Sequence, residues 1–272
     1  MINMIVVFVI ILAVCVLYVL STMCRLGDNR MGALYGWKYA HRGLHGNGVP
    51  ENSMEAFRRA RECGYGVELD VHLLADGKLA VIHDSLLERT TGKQGRVEDL
   101  TLEQLDAYYL ENTMQTIPDF DKVLGLFDGR VPLIVELKTA GKNYSQLCQA
   151  VCDRMDAYQG AFCLESFDPR CIYWLRKNRP DLVRGQLTEN FFRSKTSPLP
   201  WFLKFVLTNQ ILNFLIQPDF VAYKFNDRKN LSDFLVRKLW KTPSVTWTLI
   251  SQGELDIAVK EGRVPIFERF NP

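Results

Sequence analysis

Short apolar runs of four to six residues recur along this chain from residue 38 onward, alternating with stretches of helical period. The runs are Lys38-His41, Gly66-Val71, Leu79-His83, Leu133-Leu137, Ala161-Ser166, Val183-Leu187, Phe220-Lys224, Val245-Leu249 and Val264-Phe267. Between several of them lie helix-period segments, among them Ser53-Cys63, Tyr144-Tyr158, Pro169-Lys177, Ser232-Trp240 and Gly253-Lys260. Strands joined through helices lie parallel, and parallel sheets need both faces covered. Polar groups end several different runs: His41, Asp70, His83, Glu136 and Ser166. An open doubly wound sheet gathers only the strand ends at its switch point, whereas a closed barrel gathers all of them into one mouth. The pattern therefore predicts an α/β fold of the (β/α)8 TIM-barrel type over residues 38–272. Nine runs compete for eight places. The link from Asp70 to Leu79 is too short for a crossover helix, and Asp76-Gly77 marks a tight turn, so one run is expected to be a hairpin arm or a terminal cap.

The first 24 residues do not belong to that pattern. Ile2 to Leu20 is almost wholly apolar, broken only by Asn3, and about 20 such residues span a bilayer core. No basic residue precedes the run and no small-residue pair follows it, which disfavours a cleaved signal. Met23 before Cys24 also spoils a lipoprotein-type site. Arg25, Arg30 and Lys38 follow the span and no Lys or Arg precedes it, which places the globular part in the cytoplasm. The expected organisation is a single-pass membrane anchor at 1–24, a linker at 25–37 and a catalytic barrel at 38–272. The seven cysteines, an odd number without paired zinc-ribbon spacing, read as free thiols in a reducing compartment. A net charge of +2 offers no strong general attraction to nucleic acid, and no protein partner is implied. Residues 191–217 depart from the barrel pattern. They carry Arg193, Lys195 and Lys204 with no acid, and from Pro200 a helix-length apolar run with a narrow polar strip. Such a segment suits a membrane interface, or else an ordinary barrel helix with an unusually apolar packing face.

The chemistry concentrates at the ends of the runs. Glu68 and Asp70 are alternate residues of one strand and point to the same face. With Glu136 they make an oxygen-rich set suited to a hard cation such as Ca²⁺ or Mg²⁺; salt bridges to Lys138 and Arg42 are the simpler alternative. His41 and His83 both end strands, and two imidazoles flanking one reacting group can take and give a proton in a single reaction. His72 reads as peripheral, and His45 lies in the glycine-rich loop where a substrate could touch it. A cation, Arg42, Lys138 and two histidines suit an anionic substrate that gains charge in the transition state, with phosphoryl oxygens the natural match. No Walker-type loop is present, which disfavours nucleotide-driven transfer.

The fragments His41-Arg42-Gly43, Pro50-Glu51-Asn52-Ser53, Glu68-Leu69-Asp70-Val71, Asp76-Gly77, His83-Asp84, Leu87-Glu88-Arg89-Thr90-Thr91, Ile117-Pro118, Glu136-Leu137-Lys138, Ser166-Phe167 and Trp247-Thr248 follow in that order. Together they resemble the glycerophosphodiester phosphodiesterase family over about residues 38–270. The resemblance implies a metal-dependent TIM-barrel enzyme that hydrolyses glycerophosphodiesters to glycerol 3-phosphate and an alcohol. It implies metal ligation by Glu68, Asp70 and Glu136, acid-base work by His41 and His83, and phosphate or glycerol binding by Arg42 and Lys138. Glu51 would support the metal or its waters. One histidine would deprotonate a glycerol hydroxyl that attacks phosphorus, the other would protonate the leaving alkoxide, and water would then open the cyclic phosphate. The chain departs from the family late, with Phe267-Glu268-Arg269-Phe270 where many relatives have a Thr-Asp-Xaa-Pro-like motif. Alternatives are lysophospholipase D-type activity on lysophospholipids, and a catalytically silent membrane-tethered binding domain.

Overall fold

The computed structural model describes residues 2–27, 30–194 and 199–272. Lys195, the rest of 195–198 and linker residues 28 and 29 lie outside the described residues. Nine strands form one sheet: β1 Tyr39–His41, β2 Gly66–Leu73, β3 Leu79–Val81, β4 Leu133–Leu137, β5 Phe162–Ser166, β6 Arg184–Thr188, β7 Phe220–Lys224, β8 Ser244–Leu249 and β9 Val264–Phe267. All but β3 run parallel, and pairing of β1 with both β9 and β2 closes them into a barrel. The surplus ninth run is β3, which pairs antiparallel with β2 through Val71↔Val81 and Leu73↔Leu79. Gly77, at φ 77°, makes the turn between them. A single residue of left-handed backbone is what glycine supplies without steric cost.

The helices are α1 Ile2–Ser21, α2 Met54–Glu62, α3 Glu88–Thr91, α4 Phe120–Phe127, α5 Tyr144–Met155, α6 Pro169–Asn178, α7 Trp201–Thr208, α8 Asn213–Ile216, α9 Leu231–Phe234 and α10 Gln252–Lys260. Two expected helices differ from the sequence reading. The apolar run after Pro200 is not continuous: it breaks into α7 and α8 at a turn where Gln210 has φ 54°. The 232–240 segment starts as α9 and widens into one π turn over Leu235–Leu239.

Alternation along each strand sorts the side chains into two layers. Ala40, Val67, Leu69, Val135 and Leu164 pack outward against Phe57, Phe120, Val151 and other helix residues. Tyr39, Ile134, Cys163, Leu187, Phe220, Val245 and Ile266 pack together inside the barrel, as Met31 and Leu34 also do. A short 3-10 turn at Gly32–Leu34 closes the barrel below β1, with the Tyr39 hydroxyl donating to the Leu34 carbonyl at 3.0 Å. Cys148 and Cys152 are buried in the outer layer, and all seven cysteines are free.

Interior packing depends on small residues opposite large ones. Gly185 is the register partner of Phe220, and a Cβ at Gly185 would sit 2.1 Å from the Phe220 ring. We expect Gly185→Ala to cost about 1–3 kcal/mol of stability through overpacking. A thermal or urea melt of the variant checks this, and an unchanged midpoint would contradict the packing described here.

Candidate active site

The catalytic candidates continue the inward face of the barrel. Five of them stand two or four residues beyond the lower layer on the same strand face: His41 after Tyr39, Glu68 and Asp70 after Gly66, and Glu136 and Lys138 after Ile134. Period-two geometry thus raises one column of side chains per strand from the packed core into the mouth. Registers Asp70↔Glu136 and His41↔Glu68 set these columns level.

Glu68, Asp70 and Glu136 converge: each offers an oxygen, and these oxygens lie within 4.8 Å of one another. All three are buried. Two cations meet them. The Lys138 Nζ lies 3.0 Å from Asp70 Oδ1 and 2.7 Å from Glu136 Oε1, and Arg42 Nε lies 3.3 Å from Asp70 Oδ2. The Arg42 backbone N–H donates to Glu68 Oε2 at 3.1 Å, which the left-handed conformation of Arg42 permits. Gly43 follows, also left-handed, where a Cβ would meet Ala56 at 2.8 Å. The His-Arg-Gly turn is therefore held tightly onto the first turn of α2.

The charges sort themselves by neighbour. Burial would raise the Asp70 carboxyl, yet Lys138, His83 and Arg42 hold it well below the usual range. Burial, with the adjacent Asp70 and Glu136 charges, pushes Glu68 well up. Glu136 rises to about 7, through burial and the Asp70 charge, against the pull of Lys138. Burial lowers the Lys138 ammonium, but Asp70 and Glu136 outweigh it and raise it overall.

The two histidines are mounted alike. His41 Nδ1 lies 2.8 Å from Glu268 Oε2, and its Nε2 lies 3.8 Å from Glu68 Oε2. His83 Nδ1 lies 2.5 Å from Asp84 Oδ1, and Asp84 is in turn paired with Arg89. A carboxylate on Nδ1 fixes the tautomer and leaves Nε2 for proton transfer. Burial depresses His41 to about 4 against the opposing Glu268 hydrogen bond. Burial and Lys138 likewise lower His83, against Asp70 and Asp84.

Glu51 does not join the carboxylate set directly. It receives Arg42 Nη1 at 2.9 Å and Arg89 Nη2 at 2.5 Å, tying the first turn of the mouth to α3. His72 is buried, with Nδ1 2.9 Å from Glu98 and Nε2 donating to the His83 carbonyl at 3.2 Å, so it buttresses His83 from behind. His45 reaches toward Glu268 at 3.8 Å.

Three participants escaped the sequence reading. Asn52 reads in sequence as part of a helix cap, and Ser53 alone does that job, accepting from the Ala56 N–H at 3.1 Å. Asn52 is buried instead, in left-handed backbone, with its amide donating to Asp70 Oδ2 at 2.7 Å. Glu165 on β5 is the register partner of Glu136, buried, with Oε2 unmatched by any hydrogen bond among the described residues. Burial and the Glu136 charge push it well up. Glu268 backs His41. Period two could have found both acids: Glu165 is two beyond interior Cys163, and Glu268 two beyond interior Ile266.

The fold and the mouth define a class: a (β/α)8 barrel carrying a buried carboxylate-cation cluster beside two carboxylate-backed imidazoles. Residues 41–239 match the model of the Glycerophosphoryl diester phosphodiesterase family, and this chain belongs to that family. Curated relatives include a glycerophosphodiester phosphodiesterase from Bacillus altitudinis, 41% identical over 161 residues, covering 55% of this chain and 65% of the relative. Another, from Caldanaerobacter subterraneus, is 55% identical over 158 residues, covering 54% of this chain and 65% of the relative. The chain thus spans just under two thirds of the length of these relatives. Among solved structures, an Oleispira antarctica phosphodiesterase in complex with the product sn-glycerol-3-phosphate superposes with TM-score 0.71 at 18% identity, covering 87% of this chain and 94% of that one. A glycerophosphodiester phosphodiesterase from Thermotoga maritima gives 0.64 at 23% identity, covering 85% and 93%. At these identities the superpositions establish the shared fold.

The acidic cluster suits a metal ion by its chemistry: three buried, converging carboxylates and no sulfur donor. A ligand must shed its proton first. Because Glu136 is raised to about 7, its carboxyl is increasingly protonated below that pH. Divalent-cation binding should therefore release protons and weaken as pH falls through 7. Titration calorimetry in buffers of different ionisation enthalpy measures this; proton-neutral binding would contradict it.

Proposed function

We propose that this chain is a membrane-anchored, metal-dependent phosphoric diester hydrolase that converts glycerophosphodiesters to sn-glycerol 3-phosphate and an alcohol. The observation that carries this reading is that His41 and His83, each held by a carboxylate on Nδ1, both stand beside the Glu68–Asp70–Glu136 cluster. Family membership and the relatives' printed activity support it, as does the product bound in the Oleispira antarctica neighbour. A silent binding domain has no use for two imidazoles oriented in this way.

Glu68, Asp70 and Glu136 would hold the cation, Ca²⁺ or Mg²⁺, which when bound supplies charge stabilisation to the phosphoryl oxygens. Arg42 and Lys138 add fixed positive charge beside the same oxygens. In the first step one imidazole takes the proton of the neighbouring glycerol hydroxyl through Nε2, and that oxygen bonds to phosphorus. The bond from phosphorus to the head-group oxygen breaks as the second, protonated imidazole gives its proton to the alkoxide. In the second step the now neutral second imidazole takes a proton from water, whose oxygen bonds to phosphorus. The ring P–O bond opens, and the first imidazolium returns its proton to the glycerol oxygen. Each histidine ends as it began.

The anchor reading draws support from how α1 ends. Trp240 Nε1 donates to the Thr22 hydroxyl at 3.0 Å, and Cys24 is buried against Val221, Tyr223 and Val236. A segment integrated into the folded domain in this way is a poor candidate for removal, and the window Met4–Ser21 has no part buried. Arg25, Arg30 and Lys38 support a cytoplasmic catalytic domain.

Lysophospholipids are a second substrate class with one observation in their favour. Phe167, Phe191 and Trp247 make an aromatic wall at the mouth, with ring centroids 5.5 Å (Phe167–Trp247) and 6.2 Å (Phe167–Phe191) apart. An acyl chain could lie along it.

His41→Ala and His83→Ala should each lower turnover at least about 10²-fold with the fold intact. Release of sn-glycerol 3-phosphate from glycerophosphocholine, with Ca²⁺, Mg²⁺ or chelator, is the assay. Near-normal rates in either variant would defeat the site assignment. Lysophosphatidylcholine in the same assay separates the two substrate classes.

Glu268→Gln should cost about 10- to 100-fold, as loss of an orienting carboxylate does. The hydrogen bond from His41 to Glu268 raises the His41 pKa, so its loss lets burial depress that pKa further. The limb of the kcat/KM profile set by His41 should then move to lower pH; a limb that stays put would show that Glu268 does not act through His41.

A further inference from the structure

Resting on the anchor reading above, the structure points to how the barrel sits on its membrane. Three hydrogen bonds tie the end of α1 to the barrel: Tyr18 to Asn209 Oδ1 at 3.4 Å, Trp240 to Thr22 at 3.0 Å, and Asn213 Nδ2 to Cys24 Sγ at 3.4 Å. Asn209 and Asn213 belong to the β6–β7 connection and Trp240 to the β7–β8 connection, so α1 leaves the barrel between the two. Those connections are themselves joined, because Ser232 Oγ donates to the Thr208 carbonyl at 2.9 Å. The last turn of a spanning helix lies at headgroup depth, and groups bonded to it lie there too.

Both connections turn large apolar side chains outward. Trp201, Phe202 and Phe205 on α7, Phe214 on α8, and Phe234 with Leu239 beyond β7 are 48–73% exposed. The sequence singled out only the first of these connections. Beside α8 stands a cluster of cations sharing one acid. Arg25 and Arg30 both reach Asp219 at 3.4 Å, and buried Arg184 lies 3.7 Å from the same carboxylate. Arg176 donates to the Leu215 carbonyl. Arg25, Arg30, Arg176 and Arg184 lie near one another with Asp219 and Asp181 as the acids beside them, which leaves an excess of positive charge at the foot of α1.

We propose that the flank built by α7, α8 and the 231–239 segment lies on the bilayer, its aromatic residues inserted at acyl-headgroup depth and its arginines against anionic phospholipid headgroups. The occupant is a lipid surface because the apolar patch surrounds a bilayer-length helix and the adjoining charge complements anionic lipid. In the closed barrel β2 lies opposite β7, so the hairpin side that carries Met114 faces away from the membrane. The mouth then opens beside the lipid rather than toward it, with Phe191 on the rim nearest the inserted residues.

The test uses the full chain in phosphatidylcholine vesicles, with and without phosphatidylglycerol, brominated on the acyl chains. Subtracting the emission of Trp201→Phe isolates Trp201. We expect brominated lipid to quench Trp201 and aqueous iodide to leave it bright, whereas Met114→Trp behaves in the opposite way. Brominated phosphatidylglycerol should quench more strongly than brominated phosphatidylcholine, and Arg30→Gln and Arg176→Gln should each shrink that difference. Among the described residues Arg176 is bonded to the Leu215 carbonyl and not to Asp219, so its variant tests the charge without loosening the Asp219 clamp; glycerophosphocholine turnover reports that both variants are folded. A chain that floats with vesicles while Trp201 stays open to iodide overturns the flank and leaves the anchor standing. A chain that does not float removes anchor and flank together. An unchanged phosphatidylglycerol preference in both arginine variants removes the headgroup contact.

Discussion

Packing acidic side chains into one buried volume is the constraint from which the mouth of this barrel takes its shape. Glu68, Asp70, Glu136 and Glu165 all lie below the surface, where unpaired like charges are costly. Three devices accommodate them. Lys138 bridges Asp70 and Glu136, Arg42 reaches Asp70, and the remaining carboxyls rise toward the protonated state. Removing one partner from such a buried set costs about 3–5 kcal/mol, because a charge is left uncompensated. The protons and the Lys138 ammonium that balance these acids are what a divalent ion at the cluster would have to displace.

The surrounding contacts serve that cluster. Asn52 takes left-handed backbone to bond Asp70, and Arg42 does so to present its N–H to Glu68. Strained or rare backbone at a mouth persists only where neighbours over-determine it. Here Gly43 against α2 and the Ser53 cap supply that support. Glu268, after β9, and Asp84, after β3, each hold the Nδ1 of one imidazole, so both rings are oriented by the protein itself.

The N-terminal segment is equally part of the architecture. Beyond α1, Met31 and Leu34 join the interior core and Arg30 bonds the Pro180 and Leu182 carbonyls. Buried contacts after α1 hold the helix in a defined relation to the mouth, which a loose tether would not do.

Much of this was legible in the residue order. The strand runs, the surplus hairpin arm at Leu79–Val81 and the two-residue spacing of Glu68 with Asp70 all follow from periodicity, a local property of the chain. The grouping of His41, His83, Arg42, Lys138 and the three acids was also expected, because parallel strands in a barrel send their ends to one place. What sequence did not reveal was partnership between distant residues. Glu268 looked like a departure from a family motif, and Asn52 looked like a helix cap. Glu165 drew no notice, the two arginine partners of Glu51 were not foreseen, and the apolar run after Pro200 looked like one helix rather than two. Each of these depends on register around the closed sheet and on which side chains meet across it. Those distances exist only once the barrel shuts. Local pattern thus determined the elements and the reactive groups. Closure alone decided which carboxylate backs which imidazole, and which helices flank the foot of α1.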